Sequence, residues 1–289
     1  MLDRQTKSKY MPPRGAKRKS TEATALESPL QPRQARHLVA SNPFRRRDPH
    51  AVVRAEEPYV HLYGNRVICE TDTRGYPTPD NKSATEIVLD ATSGFIPLWA
   101  KDTTLRWRFQ EYSMSFFEDP EAAKREISTI LGEAVLAWGD AVPIKFDRTD
   151  SNWDFEIKIR ANRDCDVRGC VLASAFFPDS GRHELEIYPT MFDEGQKRAD
   201  QIHTLAHEIG HVFGLRHFFA KISETGAPSE VFGTHRPVSI MNYGSQSQLT
   251  ADDKSDLKRL YQLAWSGQLT EINETPIKFV RPFSVATHL

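Results

Sequence analysis

Hydrophobic side chains recur at strand spacing in five short segments of the chain. Residues 105–109 and 153–160 alternate apolar and polar side chains, which is the period of a half-buried β-strand. Residues 170–177 are apolar throughout, which is consistent with a buried or covered strand, and 144–147 and 184–188 are two further short segments. We predict strands over residues 105–109, 144–147, 153–160, 170–177 and 184–188.

Apolar residues recur at helical spacing in three longer segments. The predicted helices cover residues 120–137, 199–215 and 249–265. Pro120 after Asp119 is a favourable start for the first helix. Thr250 is the predicted N-cap of the last helix, and Asp253 lies in its first turn, where a carboxylate favours the helix dipole. Strands and helices in this order predict an α+β domain over residues 98–266.

The segments outside this domain differ from it in composition. Residues 1–55 are rich in Pro, Arg, Lys and Ser and poor in apolar side chains, so we predict a disordered basic tail. Residues 56–97 contain short apolar pieces broken by turns. They form either an N-terminal extension packed on the domain or a pro-like segment. Residues 267–289 are predicted to be a C-terminal tail.

Charge and hydropathy limit the possible partners. The formal net charge is −1, and basic residues are concentrated near the N-terminus. No apolar run approaches the roughly 18 residues of a membrane span, and the N-terminus lacks the apolar stretch of a secretory signal peptide. The basic clusters at 17–19 and 45–47 could bind nucleic acid, target the chain or be cleaved, but a solvated tail is the simpler interpretation. Because no base-reading fold accompanies them, we do not expect nucleic-acid binding.

The densest cluster of reactive side chains is the segment HEIGHVFGLRH at residues 207–217. His207 and His211 are four residues apart and therefore lie on one face of a helix. A continuous helix would carry His217 about 15 Å along its axis, away from the other two. Gly214 stands where the chain must turn back, since glycine adopts positive φ without a Cβ penalty. The spacing predicts that His207, His211 and His217 hold one metal ion.

Three neutral imidazoles would leave a zinc ion with its full charge and an open position for water, which is the layout of a catalytic site. Zinc lowers the pKa of such a water towards 7. Glu208 follows His207 directly, so it can accept the proton of this water and return it to a leaving amine. Together these residues predict a zinc-dependent metalloendopeptidase with Glu208 as general base.

The motif and its flanking segments resemble the metzincin zinc endopeptidases and, among them, the matrixins, the family of the matrix metalloproteinases. The resemblance covers about residues 99–266. Its pieces are the zinc motif, S-I-M-N-Y at 239–243, L-R-W-R-F, D-F-E-I-K-I, V-L-A-S-A-F-F-P and L-T-A-D-D. It implies a metzincin-like zincin fold: a twisted, mainly parallel five-stranded sheet with an active-site helix, a long packing helix and a C-terminal helix.

The resemblance also suggests roles for individual residues. The segment from Val171 to Ala175 would be the edge strand that pairs with an extended protein or peptide substrate. Met241 would lie under the histidine ligands. Tyr243 matches the position from which a tyrosine helps stabilise the oxyanion in the astacin and serralysin branches, and core packing is the alternative role. An extracellular location is suggested by the resemblance alone, and we expect a monomer.

The chain departs from the matrixin pattern in several places. Ser174 stands where matrixins have a histidine, and L-E-I-Y replaces their downstream H-F-D. We therefore expect one catalytic zinc, without a second structural zinc or calcium. The cysteine-switch sequence P-R-C-G does not occur, and Cys69 is either a latency ligand or a plain buried thiol. Cys165 and Cys170 can form a short-loop disulfide or remain two thiols.

One competing function is a catalytically inactive, zinc-containing domain that serves as a protein-binding module. All three predicted ligands and Glu208 are present, so we favour the enzyme. His203 lies one helical turn before His207, which displaces it from the predicted metal position. We therefore do not count His203 among the ligands.

Overall fold

The computed structural model describes residues 42–47, 67–68, 87–91, 94–166, 169–217, 229–233, 238–242 and 247–286. The strands in these residues are β1 (Val67–Ile68), β2 (Ile87–Asp90), β3 (Ile96–Trp99), β4 (Thr104–Phe109), β5 (Lys145–Arg148), β6 (Phe155–Ile159), β7 (Asp164–Cys165), β8 (Cys170–Val171), β9 (Ala173–Ser174), β10 (His183–Ile187), β11 (Leu215–Arg216), β12 (Ser229–Phe232), β13 (Glu271–Ile272) and β14 (Thr275–Val280). The α-helices are α1 (Glu111–Met114), α2 (Pro120–Trp138), α3 (Arg198–Val212), α4 (Ala251–Trp265) and α5 (Phe283–Ala286). None of these helices is both long and apolar enough to cross a bilayer.

The main sheet has five strands in the order β5-β4-β6-β10-β9. All neighbouring strands are parallel except β9 and β10, which are antiparallel. Alternate side chains enter the core, so Leu105, Phe155, Ile157 and Leu185 are buried. The predicted α+β architecture with a mainly parallel five-stranded sheet is confirmed.

The two long helices α2 and α3 pack against each other and share the hydrophobic core with the sheet. The Trp138 indole Nε1 donates a hydrogen bond to the Ala206 carbonyl over 3.0 Å. The Arg198 guanidinium, at the start of α3, pairs with Glu126 and Glu133 of α2. These contacts fix the position of α3 at both its beginning and its middle.

The predicted strand over residues 170–177 is interrupted. It consists of β8 and β9, and only β9 belongs to the main sheet. Strand β8 lies instead between β1 and β7 in a separate three-stranded sheet. Cys165 and Cys170 face each other across β7 and β8 and are joined by a disulfide, which decides between the two alternatives left open above.

Part of the predicted basic tail has a defined place on the domain. The Arg47 amide donates to the Phe116 carbonyl over 2.8 Å, and the Glu118 amide donates to the Arg45 carbonyl over 2.7 Å. Phe44 stacks on Phe192, with ring centroids 4.3 Å apart. The prediction of disorder over residues 1–55 is therefore wrong for 42–47, because one aromatic side chain finds a distant apolar partner that the local composition does not show.

The predicted boundary at residue 98 cuts through strand β3, whose Ile96 and Leu98 are fully buried. Upstream of it, β2 pairs with both β11 and β12, and Leu89 is also fully buried. The described residues from 87 onward are thus part of the packed domain. Cys69 lies outside the described residues.

The C-terminal segment is not a tail over its described length. Strand β14 pairs in parallel with β3, about 180 residues away in sequence, and β13 pairs with β14. The amide of Ser284, in α5, donates to Asp154 Oδ1 over 2.6 Å, and the hydroxyl of Ser284 donates to Oδ2 over 3.1 Å. The domain therefore continues beyond the predicted end at residue 266, because the strand-forming residues 275–280 find a remote partner.

Candidate metal centre

Helix α3 places His207 and His211 one turn apart on its buried face. Their side chains are buried, as is that of Glu208 between them. The helix ends at Val212, three residues earlier than predicted. Gly214 follows with a φ of +95°, the left-handed conformation that lets the chain reverse.

The reversed chain forms β11 and brings His217 back beside the helix. His217 Nε2 lies 2.9 Å from His207 Nε2, and His211 Nε2 lies 3.2 Å from the same atom. One ligand atom from each ring lies within 4.8 Å of the others. The three imidazoles therefore converge on one point, as the spacing predicts.

The outer nitrogens of two rings contact main-chain carbonyls. His207 Nδ1 lies 2.6 Å from the Ile240 oxygen, and His211 Nδ1 lies 2.7 Å from the Leu215 oxygen. A carbonyl only accepts hydrogen bonds, so both Nδ1 atoms carry the proton and both Nε2 atoms present lone pairs. Two lone pairs facing each other at 3.2 Å repel unless a cation lies between them. This arrangement fits a metal ion bound through the Nε2 atoms.

The surroundings of His207 keep its ring uncharged, which favours the binding of a cation. Burial, followed by the neighbouring His211 and His217 rings, holds the pKa of His207 well below its usual value. His207 is therefore neutral at neutral pH, as a metal ligand must be. Burial also lowers the pKa of His203, which is not among the three converging rings.

The residues 239–242, here called the methionine turn, pack behind the three histidines. Met241 is buried, and a Cβ built on Gly210 would lie only 2.6 Å from its sulfur. The Ile240 carbonyl is the acceptor for His207, so the turn sets the orientation of that ring. Met241 thus lies against the helix between the two histidines, where the resemblance placed it.

A sequence model of the matrixin family matches residues 98–262, more than half of the chain. The chain belongs to the matrixin family. The resemblance stated above is confirmed, and the histidine triad of this matrixin has the donor set of a zinc metalloprotease.

The relatives of this matrixin include proteases from animals and plants. Stromelysin-3 of Rattus norvegicus is 29% identical over 182 residues, which are 59% of this chain and 34% of that protein. Metalloendoproteinase 4-MMP of Arabidopsis thaliana is 31% identical over 140 residues, which are 43% of this chain and 40% of that protein. The chain thus matches less than half the length of each.

Among solved structures, myroilysin is 14% identical to this matrixin and covers 60% of it and 98% of itself, with a TM-score of 0.38. The zinc protease high choriolytic enzyme 1 of Oryzias latipes is 15% identical and covers 60% of this chain and 92% of itself, with a TM-score of 0.34.

The remaining parts of the predicted site are Tyr243 and the strand predicted to bind the substrate. Tyr243 lies outside the described residues. The predicted substrate strand from Val171 to Ala175 contains β9, the last strand of the main sheet. Val171 itself lies in β8 and pairs with Ile68 of β1 on one side and Asp164 of β7 on the other. The prediction of an edge strand is therefore wrong at Val171, because an upstream segment of the chain itself supplies a neighbouring strand.

Sequence reasoning missed the side chains that hold the last turn of α3. The Trp99 indole donates to the Val212 carbonyl over 2.7 Å, and the Tyr261 hydroxyl donates to the Phe213 carbonyl over 3.0 Å. Burial raises the pKa of Tyr261, so its hydroxyl remains a donor at physiological pH. Both donors satisfy carbonyls that a helix end leaves without partners. Their positions in the sequence carry no local signal of this role.

Asp253 has two roles, and sequence reasoning identified only its contribution to the start of α4. Thr250 is the N-cap of α4, as predicted, and it forms a reciprocal capping box with Asp253. The carboxylate of Asp253 additionally accepts from the Ser239 hydroxyl over 2.6 Å and from the Ile240 amide over 3.3 Å. Asp253 therefore ties helix α4 to the methionine turn.

Proposed function

We propose that this matrixin is a zinc-dependent metalloendopeptidase that hydrolyses peptide bonds. The observation that carries the proposal is the convergence of three buried imidazoles, two of which have their Nδ1 atoms on carbonyls. In this proposal His207, His211 and His217 bind the metal, and Glu208 is the general base.

The ring geometry supports zinc as the ion. Zinc–nitrogen bonds of about 2.0–2.1 Å at tetrahedral angles place neighbouring donor nitrogens about 3.3–3.4 Å apart. The two shorter Nε2 separations, 2.9 and 3.2 Å, require only a small outward movement. When bound, zinc would polarise the peptide carbonyl and lower the pKa of its water.

The place of Glu208 in the chain supports its assignment as the general base. It is adjacent to His207 in sequence and lies in the buried part of α3. We assign to its carboxylate the removal of a proton from the attacking water and delivery of that proton to the leaving amine nitrogen. From the resemblance alone, we propose Tyr243 as a donor to the developing oxyanion.

The substrate would be an extended protein or peptide segment. We propose that its main chain pairs along β9 and the residues that follow it, so that backbone hydrogen bonds contribute affinity and side-chain pockets contribute selectivity. Val171 is already paired with a strand on each side. We therefore propose that the substrate main chain pairs with the residues from Ala173 to Ala175 and not with Val171.

The test is peptide cleavage by the purified protein. Glu208→Gln should lower kcat/KM about 10²–10⁴-fold, the usual contribution of a general base, while the bound zinc is retained. Glu271→Gln, the same change at an exposed position, should leave the rate unchanged. Cleavage that survives both Glu208→Gln and zinc chelation would overturn the proposal.

The same measurements separate the enzyme from the alternative of an inactive binding module. Stoichiometric zinc without cleavage of any peptide in a diverse library would support the module. Zinc-dependent cleavage lost in Glu208→Gln would exclude it. The presence of Glu208 beside the ligands favours the enzyme.

A further inference from the structure

The third proposed ligand, His217, lies next to a strand that pairs with a part of the chain outside the family match. Unlike His207 and His211, His217 follows α3 and comes directly after the two-residue strand β11. Leu215, Arg216 and His217 are all buried. Buried main-chain groups must find hydrogen-bond partners. Residues 215–217 cannot obtain them from the i to i−4 hydrogen bonds of α3, because that helix ends at Val212.

Strand β2 supplies those partners. Leu89 aligns with Leu215 and Val88 with Arg216 in an antiparallel pair. The other side of β2 pairs with β12 through all four of its residues. Since β2 is the central strand of this three-stranded sheet, it holds β11 and β12 together. The matrixin match begins only at residue 98, after β2 has ended.

Leu89 anchors this sheet to the rest of the domain. Its side chain is fully buried and belongs to the same hydrophobic core as Ile209 and Val212 of the metal-binding helix. The core therefore fixes β2 relative to α3. The register of β2 with β11 then fixes the backbone that leads directly into His217.

We propose that strand β2, through Leu89, positions His217 for metal binding. The inference rests on the metal site of the proposed function and not on peptide cleavage. Metal ligands must be held to within about 0.5 Å of their working positions, and a two-residue strand has no such rigidity without a neighbour. Residues 87–90 are accordingly part of the metal domain, and any removable pro-like segment must end before them.

The experiment measures zinc affinity in the full chain by competition with a chromophoric chelator. Leu89→Pro removes one amide donor from the central strand and should weaken zinc binding about 10–100-fold, the usual effect of losing a group that supports a ligand. Ile127→Ala is the control, because it opens the core near Glu126 and the start of α3, away from the ligands. It should destabilise the fold with little change in zinc affinity.

A double-mutant cycle shows whether the effect passes through His217. In a His217→Ala background, Leu89→Pro should change zinc affinity by less than about threefold, because the ligand that it positions is gone. Equal effects of Leu89→Pro in both backgrounds would overturn the inference. If Leu89→Pro does not fold, Leu89→Ala gives the same cycle with a smaller expected loss.

The outcomes separate this inference from the proposed function. Zinc affinity that is unchanged in a folded Leu89 variant would overturn the role of β2 alone. Absence of zinc binding by the natural sequence would overturn the metal site and, with it, the inference.

Discussion

Replacing Asp253 by asparagine should disturb the fold and the metal site together. The Asp253 carboxylate is buried and accepts four hydrogen bonds. The donors are the Ser239 hydroxyl at 2.6 Å, the Ile240 amide at 3.3 Å, and the amide and hydroxyl of Thr250, both at 2.8 Å. Ile240 in turn accepts from His207, so a chain of contacts runs from helix α4 to a ligand.

The size of the effect follows from the charge on the acceptor. A hydrogen bond to a charged group contributes about 1.5–3 kcal/mol, against about 0.5–1.5 kcal/mol for a neutral pair. A loss of about 0.5–1 kcal/mol at each of the four donors gives about 2–4 kcal/mol for Asp253→Asn. Asp253→Ala should cost more, since it leaves buried donors without an acceptor and removes the cap of α4.

Urea unfolding of the zinc-free protein measures the first part of this prediction, and chelator competition measures the second. Asp253→Asn should also weaken zinc binding about 10-fold, because the methionine turn no longer fixes the Ile240 carbonyl. Asp252→Asn is the matched control: it removes the same charge from the same helical turn but leaves the four hydrogen bonds of Asp253 in place, so it should destabilise the fold less than Asp253→Asn does. A variant of Asp253 as stable as the Asp252 control, or one with undiminished zinc affinity, would refute the reasoning.

Two further substitutions test contacts on either side of the site. Gly210→Ala should destabilise the fold by about 1 kcal/mol, because crowding against Met241 outweighs the helix propensity gained. In a Met241→Ala background the destabilisation should become smaller, since only the contact of 3.3 Å with the Trp138 ring remains, and urea unfolding measures both effects. Destabilisation of equal size in both backgrounds would exclude the steric explanation. Asp154→Ala should cost about 3 kcal/mol and expose residues 281–286 to limited proteolysis, because Asp154 accepts from Arg106 and Ser284. Unchanged protease resistance would show that α5 is held by other contacts.

Elements with strong local periodicity could be predicted from the sequence. The helix over residues 120–137 extends one residue further to Trp138, and the strand at 184–188 is shifted by one residue. The same holds for the convergence of His207, His211 and His217, because the i, i+4 spacing and Gly214 are local geometric constraints.

Long-range pairing could not be predicted in this way. Nothing in residues 275–280 identifies β3 as their partner, and nothing in the basic segment around Phe44 points to Phe192. The pairing of Val171 with Ile68 is equally remote. The composition of a segment indicates whether it can bury apolar surface by itself. It carries no information about an apolar surface on a distant part of the chain.

The candidate site combines both kinds of information, and its three rings depend on the rest of the chain to different degrees. The contact of His211 is local, because its Nδ1 partner Leu215 is four residues away. His207 relies on the methionine turn, which Asp253 holds from the start of α4. His217 follows a strand whose pairing comes from β2, more than a hundred residues upstream. The motif supplies the donor atoms, whereas segments at both ends of the domain bring those atoms to one point. Substitutions far from the motif should therefore weaken the proposed metal binding without touching any of the three histidines.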